Sequence, residues 1–138
     1  MLKSLLYVSR SRLDDISSDA QLADIVSVAE SRNTTLQVSG ALVFTGDSFA
    51  QILEGGENEL DELMLSIRND RRHSDVRIIR VAEIEAPLFG DWSMAYTGPS
   101  FYVNRHIKPL LAEGADESNN SRFADRLIEL MSEFRKQS

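Results

Sequence analysis

A chain of 138 residues with 42% hydrophobic and 27% charged side chains is long enough for one domain with a single sizeable core. Its net charge of -7 leaves no basic surplus to neutralise phosphates, which argues against a general nucleic-acid binder. Cysteine is absent, excluding disulfides, thiolate nucleophiles and cysteine-ligated metals, and the two histidines, His73 and His106, lack zinc-ligand spacing.

The opening stretch, MLKSLLYVSRSRLDD, turns polar too soon for a signal peptide, and no apolar run approaches the ~20 residues of a membrane span. A cytoplasmic location away from membranes is expected. Leu2 to Ser9 predicts a strand, with Leu2, Leu6 and Val8 on one face and Leu5 and Tyr7 on the other. Apolar residues on both faces suit a central strand covered on each side. Ser18 and Gln21 have capping-box spacing, and Leu22, Ile25, Val26 and Ala29 form the stripe of a first helix. That helix is expected to end near Glu30 to Asn33, Asn33 being a good stop residue. Arg32 and Asn33 then lie where a helix end meets a strand, a common address for polar ligand contacts.

Leu36 to Thr45 predicts the next strand, and Gly40 inside it suggests close approach by something bulky. A turn at Thr45-Gly46-Asp47-Ser48 makes a hairpin with the strand around Gln51. Period two places Phe49, Gln51 and Leu53 on one face of that strand and Ala50, Ile52 and Glu54 on the other. Gln51 thus sits on an apolar face, where an unpartnered carboxamide costs about 1–3 kcal/mol. Either the backbone satisfies it or a bound polar ring does.

A second helix from about Asn58 carries the stripe Leu60, Leu63, Met64 and Ile67, with acids in its first turn to suit the macrodipole. The run Arg71-Arg72-His73 has the look of a solvated helix end. Val76 to Val81 is the following strand, Pro87 to Gly90 a bend, and Asp91 to Thr97 the last strand, with Trp92, Met94 and Tyr96 on one face. Beyond Gly98-Pro99 come a Pro-interrupted helical segment at Phe101 to Ala112 and a helix from Ser121. Its face of Phe123, Leu127, Leu130, Met131 and Phe134 either caps the open side of the sheet or docks on another subunit.

The order β-α-β-β-α-β-β with C-terminal helices predicts a ferredoxin-like α+β sandwich. Tyr7 in YVSRS, Asn33 before VSGALVF, Gln51 in SFAQILEG, Asp70, Arg72 and His73 in RNDRRH, and Trp92 with Met94 in DWSM resemble the BLUF family of flavin-binding blue-light receptors. The resemblance spans residues 1–98 as a sensor domain and leaves 99–138 as a helical extension for output or oligomerisation. It implies a flavin, usually FAD with FMN the alternative, between the two helices above the sheet. Ile25 and Ile67 would grip the ring. Asn33 would bond its carbonyl edge, and Arg32, Asp70, Arg72 and His73 would line the polar edge and ribityl side. Phe49 belongs to the same implied site, and Gln51 would stand between flavin and the Tyr7 hydroxyl.

The family's mechanism implies transient electron and proton transfer from Tyr7, rearrangement of Gln51, a red-shifted flavin, and relay through Trp92 and Met94 to the C-terminal helices. No net chemistry results, so no enzyme is expected. Because no effector domain follows the sensor, a separate effector protein is expected to receive the signal, along with a homodimer or higher homo-oligomer. Two rival readings use the same topology. One is a flavin-free dimerisation or regulatory module. The other is an acylphosphatase-like hydrolase, whose glycine-flanked anion loop is missing here.

Overall fold

The alternation of side chains along β1 (Leu2–Ser11) sets the layers. Leu6 and Val8 enter one apolar cluster, and Leu5 and Tyr7 enter another on the opposite face. The computed structural model describes residues 2–13, 18–89, 95–97, 107–111, 122 and 124–132. After β1 come α1 (Ser18–Leu36), β2 (Ser39–Phe44), β3 (Ser48–Gly56), α2 (Glu57–Asn69), β4 (His73–Ile84) and β5 (Ala95–Thr97). The sheet order is β4-β1-β3-β2-β5. Its first four strands are antiparallel neighbours, and β5 joins β2 in parallel. This is the ferredoxin-like α+β sandwich that the sequence predicts.

One face of the sheet is covered by α1 and α2, through Leu22, Leu60, Leu63 and Met64 against Leu5, Tyr7, Leu42, Phe49 and Leu53. The other is covered by C-terminal residues: Ile107, Leu110, Leu111, Ala124, Leu127 and Met131 bury against Leu6, Val8, Ala41, Val43, Ala50 and Ile52. Of the two roles open to the last helix, its described residues perform the first, closing the sheet. Phe123 and Phe134 lie outside the described residues, as do Trp92 and Met94.

Several boundaries differ from the sequence expectation: β1 runs to Ser11 rather than Ser9, and β4 spans His73–Ile84 rather than Val76–Val81. The first helix does not stop at Asn33 but continues to Leu36. It stops by a Schellman arrangement: the Val38 N–H donates to the Asn33 carbonyl at 2.8 Å, and the Gln37 N–H to the Thr34 carbonyl at 3.2 Å. Gln37 takes the left-handed conformation (φ 57°) that glycine usually supplies there, which is why the stop was not legible. The second helix ends at Asn69 with Asp70 as its cap, and His73 already opens β4. Arg71 and Arg72 therefore form a turn, not a helix end. Finally, β2 starts at Ser39 rather than Leu36.

At Gly40 the close neighbour is backbone, not a ligand. A Cβ there would lie only 2.3 Å from the Ile52 carbonyl oxygen on β3. Gly40→Ala is expected to lower stability by about 1–3 kcal/mol through overpacking, read as a lower urea midpoint. An unchanged midpoint would show that β2 and β3 can separate without penalty.

Candidate functional site

Antiparallel register sets Tyr7 on β1 directly opposite Gln51 on β3, with Leu42 of β2 opposite Gln51 on its other side. Both side chains point to the helix-covered face, and the Tyr7 hydroxyl donates a hydrogen bond to Gln51 Oε1 at 2.5 Å. The phenol is 3% exposed and the carboxamide 5%. Burial, and secondly the Asp70 carboxylate, push the phenol above its ordinary ionisation range. Tyr7 is therefore a neutral donor, and Gln51 Oε1 is the oxygen that receives its proton's hydrogen bond.

Above this pair lies a cleft with an empty volume of about 700 Å³ including its open mouth. Its apolar walls are Ile25, Val28 and Ala29 of α1 and Leu63 and Ile67 of α2. They face one another because each helix repeats its inner residues at three- and four-residue intervals. On α1 that repeat runs Leu22, Ile25, Val26, Ala29 and on to Asn33, a position usually apolar. Asn33 is consequently 1% exposed, its carboxamide lining the cleft.

Polar groups gather where α2 turns into β4. Asp70 accepts the Arg72 backbone N–H at 2.9 Å and a forked pair from its guanidinium, Nε at 2.9 Å and Nη2 at 2.7 Å. The third side of that guanidinium reaches Asp24 of α1 at 2.9 Å, tying the two walls together. The Arg72 side chain is the first cause, and burial the chief opponent, of an Asp70 carboxyl held below its usual range. His73 Nε2 lies 2.6 Å from the Ile67 carbonyl, which can only accept, so Nε2 carries a proton. Nδ1 lies 2.8 Å from the Ser9 hydroxyl, which donates to it in the neutral ring. The imidazole meets both Tyr7 and Phe49 edge to face, with ring centres 6.2 and 6.0 Å away.

Every residue that the resemblance assigned to the cofactor lines this one cleft: Tyr7, Ile25, Arg32, Asn33, Phe49, Gln51, Ile67, Asp70, Arg72 and His73. Val28, Ala29, Leu42, Leu53, Leu63 and Ser66 line it too. Apart from Val28 and Ser66 they lie on stripes or strand faces already visible as core, and nothing in their type separates a wall from a packed interior. A planar heteroaromatic group suits this donor set. It has apolar walls on two sides, a phenol–carboxamide floor, and amide, guanidinium, carboxylate and imidazole groups at its edges.

Comparison with known proteins points the same way. Residues 2–95 match the sequence profile described as BLUF, sensors of blue-light using FAD. The beta subunit of a photoactivated adenylate cyclase from Euglena gracilis is 32% identical over 93 residues, 67% of this chain and 11% of that protein. The blue light- and temperature-regulated antirepressor BluF of Escherichia coli (strain K12) is 28% identical over 123 residues, 89% of this chain and 29% of that protein. The chain thus spans about a tenth of the cyclase subunit and under a third of the antirepressor. Among solved structures, the dark state of the BLUF protein BlrB aligns with a TM-score of 0.72 at 30% identity, covering 92% of this chain and 94% of that one. The photo-activated state of BlsA aligns at 0.74 with 24% identity over 92% and 94%, a likeness of fold.

Two of the site's displaced ionisations, those of Tyr7 and Asp70, give it a pH signature. An unfolded Tyr7 ionises near 10 and the native one higher, so its contribution is intact below about pH 10 and lost as pH rises through the native value. Asp70 works in the opposite sense. Its contribution is present above the unfolded carboxylate value of about 3.9 and lost as pH falls through the lower native one. Stability measured by denaturant against pH should fall above pH 10 in the wild type and fall less in Tyr7→Phe. Equal alkaline slopes would contradict a buried phenol.

Proposed function

The chain belongs to the BLUF family, and on that premise we propose that it is a blue-light receptor whose photoactive pair is Tyr7 and Gln51. The hydrogen bond between them on the floor of an apolar cleft is the observation that carries the reading. Flavin is the chromophore of the family, FAD by the family's description with FMN the alternative. In this chain Ile25 and Ile67 would hold its ring, Asn33 and Gln51 its polar ring edge, and Arg32, Asp70, Arg72 and His73 its ribityl side, with Phe49 beside the ring. When bound, flavin supplies blue absorption and an excited state that accepts an electron.

The protein's part follows from its own groups. Tyr7 is the oxidisable side chain of the cleft floor, and its proton lies on the hydrogen bond to Gln51. A carboxamide accepts at one end and donates at the other, so exchanging its ends reverses every hydrogen bond it makes. While the Tyr7 proton is displaced, Gln51 is free to rearrange. When the proton returns, Tyr7 is restored and nothing has been consumed. The device is a two-state switch that light populates and heat resets.

The rearrangement leaves through β3 toward residues 90–97, where Trp92 and Met94 are the proposed relay, and on to the 99–138 extension. A downstream effector protein reads the output, the receptor acts in the cytoplasm as a homodimer or higher homo-oligomer, and residues 1–98 are the sensing unit. The chain itself is not an enzyme in this reading.

Absorption spectra before and after blue light test it. The wild type should be yellow, with a blue band that moves to the red on illumination and returns in darkness. Tyr7→Phe should bind flavin but lose that movement, and an unchanged light-minus-dark spectrum would remove Tyr7 from the mechanism. Asn33→Ala should weaken flavin binding about 10–100-fold if a buried hydrogen bond of about 1–3 kcal/mol is lost. Unaltered binding by equilibrium titration would move the ring edge elsewhere.

A further inference from the structure

Strand β3 carries Gln51 on the cleft face, and three residues on it carries a buried acidic side chain on the other. Glu54 is 2% exposed, and among the described residues no cation lies within ion-pair distance of it. Its carboxylate is satisfied by donors alone. The Leu88 N–H gives a bond of 2.6 Å to Oε2, and the Phe89 N–H one of 2.8 Å to Oε1. The Ser39 hydroxyl adds 2.9 Å to Oε1. A buried carboxylate without a cation is costly unless such donors hold it, so this grip is specific.

Topology gives the grip its significance. β4 and β5 occupy opposite edges of the sheet, so the chain between them must pass three strands. Phe89, fully buried, shares one apolar cluster with Ile52 of β3 and with Ile107, Leu110 and Leu127 of the C-terminal segments. Glu54 thus fastens the crossover to β3 just ahead of residues 90–94.

We infer that Glu54 is a positioning residue that couples the cleft to the output limb: its carboxylate holds the β4–β5 crossover on β3, so that a displacement of β3 at Gln51 is passed to the backbone at Leu88 and Phe89. This rests on the photoreceptor reading above. Glu54 touches neither Tyr7 nor the cleft. It has no part in the colour change itself, only in whether that change is felt on the far face of the sheet.

The test is amide-resolved NMR on the flavin-loaded full chain, dark and under blue light, with absorption read in the same sample. In the wild type the Leu88 and Phe89 amide signals should move on illumination and return at the rate of the colour change. Glu54→Gln keeps one acceptor oxygen of two, so the red shift should persist while the light-induced movement falls to roughly half or less. In Glu54→Ala the dark-state amides should exchange with deuterium about tenfold faster, as expected for a lost hydrogen bond. Ser39→Ala, which leaves both backbone bonds in place, should retain the full movement. A normal red shift with wild-type amide movement in Glu54→Gln overturns the inference alone, as does a wild type whose amides ignore light. A sample without any red shift overturns the photoreceptor reading and the inference with it.

Discussion

A phenol and a carboxamide, both buried and bonded to each other, are the constraint around which the rest of the structure is arranged. Left without partners, each would cost about 1–3 kcal/mol, and neither can reach water. Antiparallel register between β1 and β3 solves this by making Tyr7 and Gln51 direct neighbours. A register slip of one residue would turn one of them to the opposite face and orphan both. The apolar cross-strand neighbours that fix the register, Leu5 with Leu53 and Leu6 with Ile52, are therefore as necessary to the site as the pair itself.

The sheet acts as a thin wall between two different environments. On one side, α1 and α2 leave a cleft with polar edges, its walls tied by Arg72 between Asp24 and Asp70. On the other, C-terminal residues, with Phe89, pack into an apolar layer against the sheet. Among the described residues the sheet's strands touch both, and they are the route by which a change at the cleft reaches the far face. β3 is the strand with a buried polar side chain pointing each way, Gln51 and Glu54.

Much of this could be read in the sequence where local pattern and global fold agree. Alternation in LLYV separated the two faces of β1 correctly, and the helical stripes found both walls of the cleft. What failed did so for definable reasons. The end of α1 was hidden because a glutamine, Gln37, performs a turn normally marked by glycine. The turn at Arg71 and Arg72 leaves no periodic trace, because what organises it is side-chain geometry: the Asp70 carboxylate accepts from the Arg72 backbone N–H and guanidinium. The strand order and the parallel pairing of β5 with β2 are long-range facts that no local window contains. Glu54 is visible as facing away from Gln51, but its backbone partners lie 34 and 35 residues along the chain. The site residues were recognisable as a constellation rather than by type, since each alone could be an ordinary core or surface residue.

The account makes the Gln51 side chain the moving part, and vibrational spectroscopy observes that part directly. Light-minus-dark infrared spectra of the flavin-loaded protein, with carbon-13 and nitrogen-15 incorporated at glutamine, should contain isotope-sensitive carboxamide bands. Those bands should be absent from Gln51→Glu and should decay at the rate of dark recovery. A full flavin difference spectrum with no isotope-sensitive glutamine band would show that Gln51 stays still, and the switch would have to lie elsewhere.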